Sequence, residues 1–177
     1  RLFDQAIKDA GAKTALYLTW ARQNAPETQP AITAAYITIA AELDALVIPG
    51  GESTTMINLM TTFDLVEPLA KLVADGTPIL GTCAGMILLA AHVSDGHPDQ
   101  LCFGAIDIDV RRNGYGRQIN SFEADLEIDG LDGDPLTAVF VRAPVVERAS
   151  PEGEVLASVD GNPVLCRQGP VVVSSFH

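Results

Sequence analysis

The chain has 177 residues, of which 47% are hydrophobic and 19% are charged, and this composition predicts one soluble globular domain with a sizeable core. Its formal net charge is −12, from 23 acidic and 11 basic side chains. Because contacts to phosphates need clusters of Lys and Arg, this balance argues against a nucleic-acid-binding protein. It suits a small-molecule enzyme or a subunit that docks on a basic partner, although solubility alone also explains it.

The sequence contains three cysteines, Cys83, Cys102 and Cys166. An odd number without regular spacing argues against a disulfide framework, and no CxxC pair or Cys/His cluster indicates a metal site. We therefore expect a reducing, cytoplasmic location. No run of about 18 apolar residues predicts a membrane span, and the first residues do not have the pattern of a signal peptide.

The first half of the chain alternates between helical and extended patterns. The expected helices cover residues 2–10, a segment capped by Ser53 or Thr54 that runs to Met60, a segment from Asp64 to Gly76, and residues 83–91. The expected strands cover residues 15–20, 45–48 and 78–80, the last two as short buried runs typical of parallel strands. Residues 21–31 predict a loop, and residues 34–41 are ambiguous between strand and helix.

The second half of the chain has a different pattern, with alternating apolar and polar residues between turn residues. Strands are expected at 105–110, 122–128, 137–142, 154–158 and 171–175. Alternation of strands and helices followed mostly by strands predicts an α/β sheet with a β-rich second half.

The clearest chemical signal is the sequence Gly-Thr-Cys-Ala-Gly at residues 81–85, between an apolar strand and an apolar helix. This is the form of a nucleophile elbow, in which glycines permit a sharp turn that lifts the nucleophile clear of the sheet. At a helix N-terminus Cys83 is expected to favour the thiolate, and the N–H of Ala84 is expected to face an oxyanion. The alternative is a buried structural cysteine in a glycine-containing turn.

Two further segments could complete such a site. The paired glycines in Pro-Gly-Gly-Glu-Ser, residues 49–53, follow a buried strand and could bring a second oxyanion donor close to a ligand, or could simply form a turn capped by Ser53. His177 follows the apolar strand near residue 173, where it could serve as the base for a cysteine on a neighbouring strand end. The alternative for any single histidine, including His92 and His97, is a surface or capping position.

Six stretches together resemble class I glutamine amidotransferases, and specifically the PdxT/SNO family of glutaminase subunits of pyridoxal 5′-phosphate synthase. The resemblance covers residues 45–177, about three quarters of the chain. The stretches are LVIPGGESTTM (46–56), GTCAGM (81–86), VRRNGYGRQ (110–118), SFE (121–123), VFVRAP (139–144) and SFH (175–177).

The resemblance implies a role for each matching residue. Cys83 is implied as the nucleophile that forms a glutamyl thioester, with His177 as its acid/base partner. The amides of Gly51 and Ala84 are implied as the oxyanion hole. The residues implied to hold glutamine are Gly51, Glu52, Ser53, Arg112, Val141 and Arg142.

The resemblance also implies a fold, a reaction and a partner. The fold is a flavodoxin-like three-layer α/β sandwich, with a mostly parallel central sheet and the site at the carboxyl ends of its strands. The reaction is hydrolysis of L-glutamine to L-glutamate and ammonia. The ammonia passes by a channel to the synthase subunit, in a hetero-oligomer that makes the phosphorylated vitamin B6. No metal or organic cofactor is implied for the glutaminase subunit.

The sequence departs from the family pattern in three places. The family triad ends in His-Pro-Glu, whereas this sequence ends at His177, and we expect that a shortened chain explains this better than a lost triad. The family begins with a strand before the helix at 2–10. Residues 13–44 match the family poorly. We therefore expect one amidotransferase domain over residues 1–177 that lacks the first strand and the C-terminal end.

Three other functions remain open at this stage. A class I amidotransferase of another pathway is argued against by Arg112-Asn113 and by residues 142–144. A catalytically silent scaffold that only binds a partner would lack a reactive Cys83. A cysteine-type α/β hydrolase would share the elbow, but it would not need Arg112 or the loop at residues 50–52.

Overall fold

A computed structural model describes residues 15–17, 40, 42–96, 100–112, 114, 121–131 and 133–177. Three helices lie wholly within these residues, α1 (Ser53–Thr62), α2 (Val66–Ala74) and α3 (Ala84–Leu89). The strands are β1 (Ala15–Tyr17), β2 (Ala45–Ile48), β3 (Ile79–Thr82), β4 (Ala90–Val93), β5 (Ile106–Arg111), β6 (Phe122–Leu126), β7 (Leu136–Phe140), β8 (Val145–Ala149), β9 (Glu154–Val159), β10 (Asn162–Gln168) and β11 (Val171–Ser174).

In the part of the chain that the structure describes, the main sheet has six strands in the order β1-β2-β3-β11-β10-β9. The pairs β1–β2, β2–β3 and β3–β11 are parallel, and β10 and β9 continue the sheet with antiparallel pairs. All four residues of β2 are buried, as expected for a strand covered on both faces. The predicted α/β class with a mostly parallel central sheet and a β-rich second half is confirmed.

Among the described residues, two hydrophobic cores lie against the main sheet, and both include residues of β10 and β11. Val173 and Cys166 belong to the larger core, which α1, α2 and α3 cover. Leu165 and Phe176 belong to the smaller core, which β6 and β7 cover. Because neighbouring residues of a strand point to opposite faces, β10 and β11 contribute to both cores.

Two smaller sheets extend the second half of the chain. One has the order β4-β5-β8, and the other is the antiparallel pair β6–β7. The β6–β7 pair is attached to the end of the chain by aromatic packing, since Phe140 stacks on Phe122 at 4.5 Å and contacts Phe176 at 5.6 Å between ring centroids. This packing brings the segment after β11 alongside β7.

The structure corrects several predicted boundaries. The cap of α1 is Glu52 rather than Ser53 or Thr54, because its carboxylate accepts from the N–H groups of Thr54 and Thr55 in the first turn. Asp64 does not cap α2, since its φ of 52° places it in a left-handed turn and the N-cap is Leu65. The helix expected at 83–91 ends at Leu89 and is followed directly by β4.

The remaining predicted elements fall into two groups. The strands expected in the second half are all present within a few residues of their predicted bounds, while β8 and β10 were not predicted. The helix at 2–10, the loop at 21–31, residues 18–20 and most of the ambiguous segment at 34–41 lie outside the described residues. Within the described residues, no helix is long and apolar enough to cross a membrane.

The contact between α3 and β2 leads to a prediction about stability. A Cβ added to Gly85 would lie 2.2 Å from the backbone oxygen of Ile48, and backbone cannot swing aside as a flexible side chain can. We expect Gly85→Ala to lower the free energy of unfolding by about 3 kcal/mol, measured by urea denaturation. The control is Gly153→Ala, whose added Cβ would meet its nearest atom at 3.4 Å. Equal free energies of unfolding for Gly85→Ala and Gly153→Ala would contradict the close approach of Gly85 to the backbone of Ile48.

Candidate active site

Five segments that follow strands meet in one pocket with a volume of about 250 Å³. The parallel strands β2, β3 and β11 are neighbours, so the residues after their carboxyl ends come together, as is general for open α/β sheets. Residues after β5 and β7 close the other sides. The lining residues are Gly50, Gly51, Glu52, Ser53, Cys83, Ile87, Arg112, Val141, Arg142 and His177.

Cys83 lies in a strained turn between β3 and α3. Its φ of 50° and ψ of −102° are rarely adopted by a residue with a side chain, and its N–H donates to the carbonyl oxygen of Ser174 at 2.7 Å. Gly81 is required beside it, because an added Cβ would lie 2.6 Å from Cδ1 of Leu89 and 2.8 Å from the backbone of Gly85. The predicted elbow geometry is therefore present.

Two backbone N–H groups are directed at the Cys83 thiol. Burial raises the pKa of this thiol above its ordinary value, while a hydrogen bond from the N–H of Ala84, the charge of Arg142 and a hydrogen bond from the N–H of Gly51 oppose the rise. The amide at the start of α3 favours the thiolate, as expected, but burial outweighs it and the net pKa is raised. The helix α3 has only six residues, and its amides do not outweigh desolvation.

His177 is held by backbone hydrogen bonds to β7 and by contact with Gly50. Its N–H donates to the carbonyl oxygen of Val139 at 3.0 Å. A Cβ added to Gly50 would lie 1.8 Å from Cε1 of the imidazole and 2.6 Å from its Nδ1. The sequence predicted that Gly50 and Gly51 make room for a ligand, whereas the structure shows that Gly50 makes room for the imidazole.

Glu52 is a helix cap as well as a pocket residue. One carboxylate oxygen accepts from the N–H of Thr54 at 3.1 Å, and the other accepts from the N–H and hydroxyl of Thr55 at 2.7 and 2.9 Å. Burial raises the pKa of Glu52, but hydrogen bonds from Thr55 and Thr54 outweigh it and the net pKa lies below the ordinary value. The carboxylate is therefore held in its charged form at the pocket rim.

Ser53 follows Glu52 at the start of α1 and is 3% exposed. Its Oγ is buried and has no hydrogen-bond partner in the described part of the chain. A buried hydroxyl without a hydrogen bond costs about 1–3 kcal/mol. A polar ligand atom that bonds to the Ser53 hydroxyl would remove this cost and would thereby be bound more tightly.

Arg112 brings a positive charge to the opposite side of the pocket. Its Nη2 lies 3.4 Å from Oε1 of Glu52, and its side chain is 22% exposed. The N–H of Arg112 donates to Oδ1 of Asp95 at 2.7 Å. Val141 and Arg142 follow β7, and Arg142 has a φ of 47°.

The structure brings the predicted site residues together in the pocket lining, except for Ala84. Ala84 is buried behind the pocket and contributes through its N–H rather than its side chain. The sequence analysis missed Ile87 and Asp95. The spacing of four residues from Cys83 could have identified Ile87, because such residues share a helix face. No local signal pointed to Asp95.

No group of His, Cys, Asp and Glu able to hold a metal ion is found among the described residues.

The sequence model of the SNO glutamine amidotransferase family matches residues 27–177 of the chain. A protein of Parafrankia sp. (strain EAN1pec), the pyridoxal 5′-phosphate synthase subunit PdxT, is 58% identical over 137 residues, which are 77% of this chain and 68% of that protein. The PdxT of Mycobacteroides abscessus is 54% identical over 136 residues, covering 77% of this chain and 70% of the relative.

The fold also matches a solved structure. A crystal structure of a glutamine amidotransferase has a TM-score of 0.75 and 36% sequence identity, and the match covers 93% of this chain and 90% of that one. This similarity confirms the predicted flavodoxin-like α/β sandwich of class I amidotransferases. Together with the matched residues 27–177, it shows that the chain belongs to the SNO glutamine amidotransferase family.

Proposed function

We propose that this chain is the glutaminase subunit of a pyridoxal 5′-phosphate synthase, which hydrolyses L-glutamine to L-glutamate and supplies ammonia to a synthase subunit. The observation that carries the proposal is the setting of Cys83, which lies in a strained turn with the amides of Gly51 and Ala84 directed at its sulfur and shares a pocket with His177. The relatives at 58% and 54% identity bear the name of such a subunit.

The proposed reaction uses Cys83 as nucleophile and His177 as acid and base. His177 takes the thiol proton as the sulfur attacks the side-chain amide carbon of glutamine, and the N–H groups of Gly51 and Ala84 stabilise the oxyanion. The C–N bond breaks, and the imidazolium returns its proton to the leaving nitrogen, so ammonia departs. A water molecule, deprotonated by the imidazole, then cleaves the thioester and frees glutamate and the thiol.

The charges around the pocket suit the α-amino acid end of glutamine. The Arg112 guanidinium is positioned to pair with the α-carboxylate, and the charged Glu52 beside it suits the α-ammonium group. The unsatisfied Ser53 hydroxyl provides a further polar contact. Val141 and Arg142 line the same side of the pocket and are proposed to contact the substrate.

A synthase partner follows from the subunit role that the relatives' name states. We propose that this partner is the pyridoxal 5′-phosphate synthase subunit, that the two form a hetero-oligomer, and that ammonia passes between them by a channel that keeps it from protonation in bulk water. The formal net charge of −12 supports docking on a basic surface. If the two subunits work as one complex, glutamate release should rise when the synthase subunit is added.

Replacement of the nucleophile tests the reaction. With the synthase subunit present, we expect Cys83→Ser to lower kcat for glutamate release by at least about a thousandfold, because the hydroxyl is a far weaker nucleophile. Cys102→Ser is the control, since Cys102 is half-buried and does not line the pocket. Hydrolysis retained in the Cys83 variant would exclude the thioester mechanism, and it would leave the fold assignment intact.

Removal of the pocket arginine tests substrate recognition. We expect Arg112→Ala to raise the KM for glutamine by about 10- to 100-fold, which corresponds to loss of a charge-assisted hydrogen bond of about 1.5–3 kcal/mol. The matched control is Arg111→Ala, because this neighbouring side chain pairs with Glu147 outside the pocket. If both variants have the KM of the unmodified protein, Arg112 does not bind glutamine.

The contact between Gly50 and His177 gives a third prediction. We expect Gly50→Ala to push the imidazole out of place and to lower kcat by about a hundredfold, with little change in thermal stability because a side chain can move aside. Steady-state kinetics and a thermal melt measure the two effects. The same kcat in Gly50→Ala and the unmodified protein would show that the imidazole does not act from this position.

A further inference from the structure

We infer that Asp95 is a positioning residue for glutamine binding, because its carboxylate fixes the backbone of Arg112 at the pocket. This inference rests on the proposed function, in which Arg112 pairs with the α-carboxylate of glutamine. Asp95 itself does not line the pocket, so its effect on the substrate must pass through Arg112.

The contact between the two residues joins the ends of neighbouring strands. The strands β4 and β5 are parallel, with Val93 paired to Val110, so the segments that follow them leave the sheet side by side. Arg112 is the first residue after β5, and its N–H donates to Oδ1 of Asp95 at 2.7 Å across 17 positions of sequence. This is a short, charge-assisted bond, which is stronger than one between neutral groups.

The turn that carries Asp95 is itself held to the sheet. The N–H of Ser94 donates to the carbonyl oxygen of Val110 at 2.9 Å, and its hydroxyl donates to Oε2 of Glu147 at 2.7 Å. The N–H of Gly96 closes the turn on the carbonyl oxygen of Val93 at 3.3 Å. The carboxylate of Asp95 is therefore presented from a fixed backbone.

Arg112 is anchored on its other side as well. The N–H of Gly114 donates to the carbonyl oxygen of Ala143 at 3.0 Å, and a Cβ added to Gly114 would lie 2.4 Å from Cγ2 of Val145. The backbone around Arg112 is thus attached at two points. The N–H of Arg112 bonds to Asp95, and the N–H of Gly114 bonds to Ala143 in the segment that follows β7.

The guanidinium end of Arg112 is held less firmly than its backbone. The contact with Oε1 of Glu52 is 3.4 Å, which is long for a charge-assisted hydrogen bond. Glu52 is meanwhile engaged by the first turn of α1. The direction of the Arg112 side chain therefore depends on where its backbone is fixed, and Asp95 supplies that fixed point.

The test compares Asp95→Ala with Asp95→Asn. In the Cys83→Ala background, which binds substrate without turnover, we expect Asp95→Ala to weaken glutamine binding about fivefold by calorimetry, as for loss of one hydrogen bond. In the active protein with the synthase subunit, we expect the KM to rise by the same factor and kcat to stay within about twofold. Asp95→Asn should recover most of both losses, because its amide oxygen accepts the same bond without the charge.

A double-mutant comparison separates positioning from general damage. Asp95→Ala should have no further effect on KM once Arg112 is replaced by Ala, because it acts through that residue. Asp109→Ala is the control, since it removes an acidic side chain of β5 that bonds to Arg148 rather than to Arg112, and it should leave the KM unchanged.

Each outcome has a distinct meaning. An unchanged dissociation constant in Asp95→Ala, additive effects with Arg112→Ala, or an equal rise of KM in Asp109→Ala would overturn the role of Asp95 while leaving the glutaminase intact. Absence of any glutamine binding by the Cys83→Ala protein would overturn the proposed function, and the role of Asp95 would fall with it.

Discussion

The parallel register of β2, β3 and β11 is the constraint on which the site depends. Ile48 is paired with Gly81, and Gly81 is paired with Val173, so the three strands end at nearly the same level. The loop after β2, the Cys83 turn and the segment leading to His177 therefore emerge at one edge of the sheet. A slip of one residue in either pairing would turn these side chains to the opposite face.

The β-rich second half completes the site from outside the main sheet. The aromatic packing of Phe140 with Phe122 and Phe176 holds the β6–β7 pair against the end of the chain. The backbone pairing of His177 with Val139 extends this attachment to the pocket. This aromatic packing thus helps to set the position of His177, so the pocket depends on contacts remote from Cys83.

Local sequence patterns predicted the parts of the site that depend on neighbouring residues. The elbow around Cys83 and the glycine loop at residues 49–53 were recognisable because a sharp turn needs particular residues at fixed positions. Sequence patterns did not reveal that Gly50 faces the imidazole or that Asp95 holds Arg112, since these contacts join residues far apart in the chain. The strand β10 was missed for a different reason: Val164, Leu165 and Cys166 are all buried, so its apolar residues do not alternate with polar ones.

The raised pKa of Cys83 has a consequence for the lifetime of the protein. Peroxides oxidise the thiolate rather than the thiol, so a cysteine that stays protonated at rest is spared the slow conversion to sulfenic and sulfinic acids. The same burial that makes Cys83 a poor nucleophile on its own thereby protects it. In the proposed reaction the sulfur ionises only when a base removes its proton.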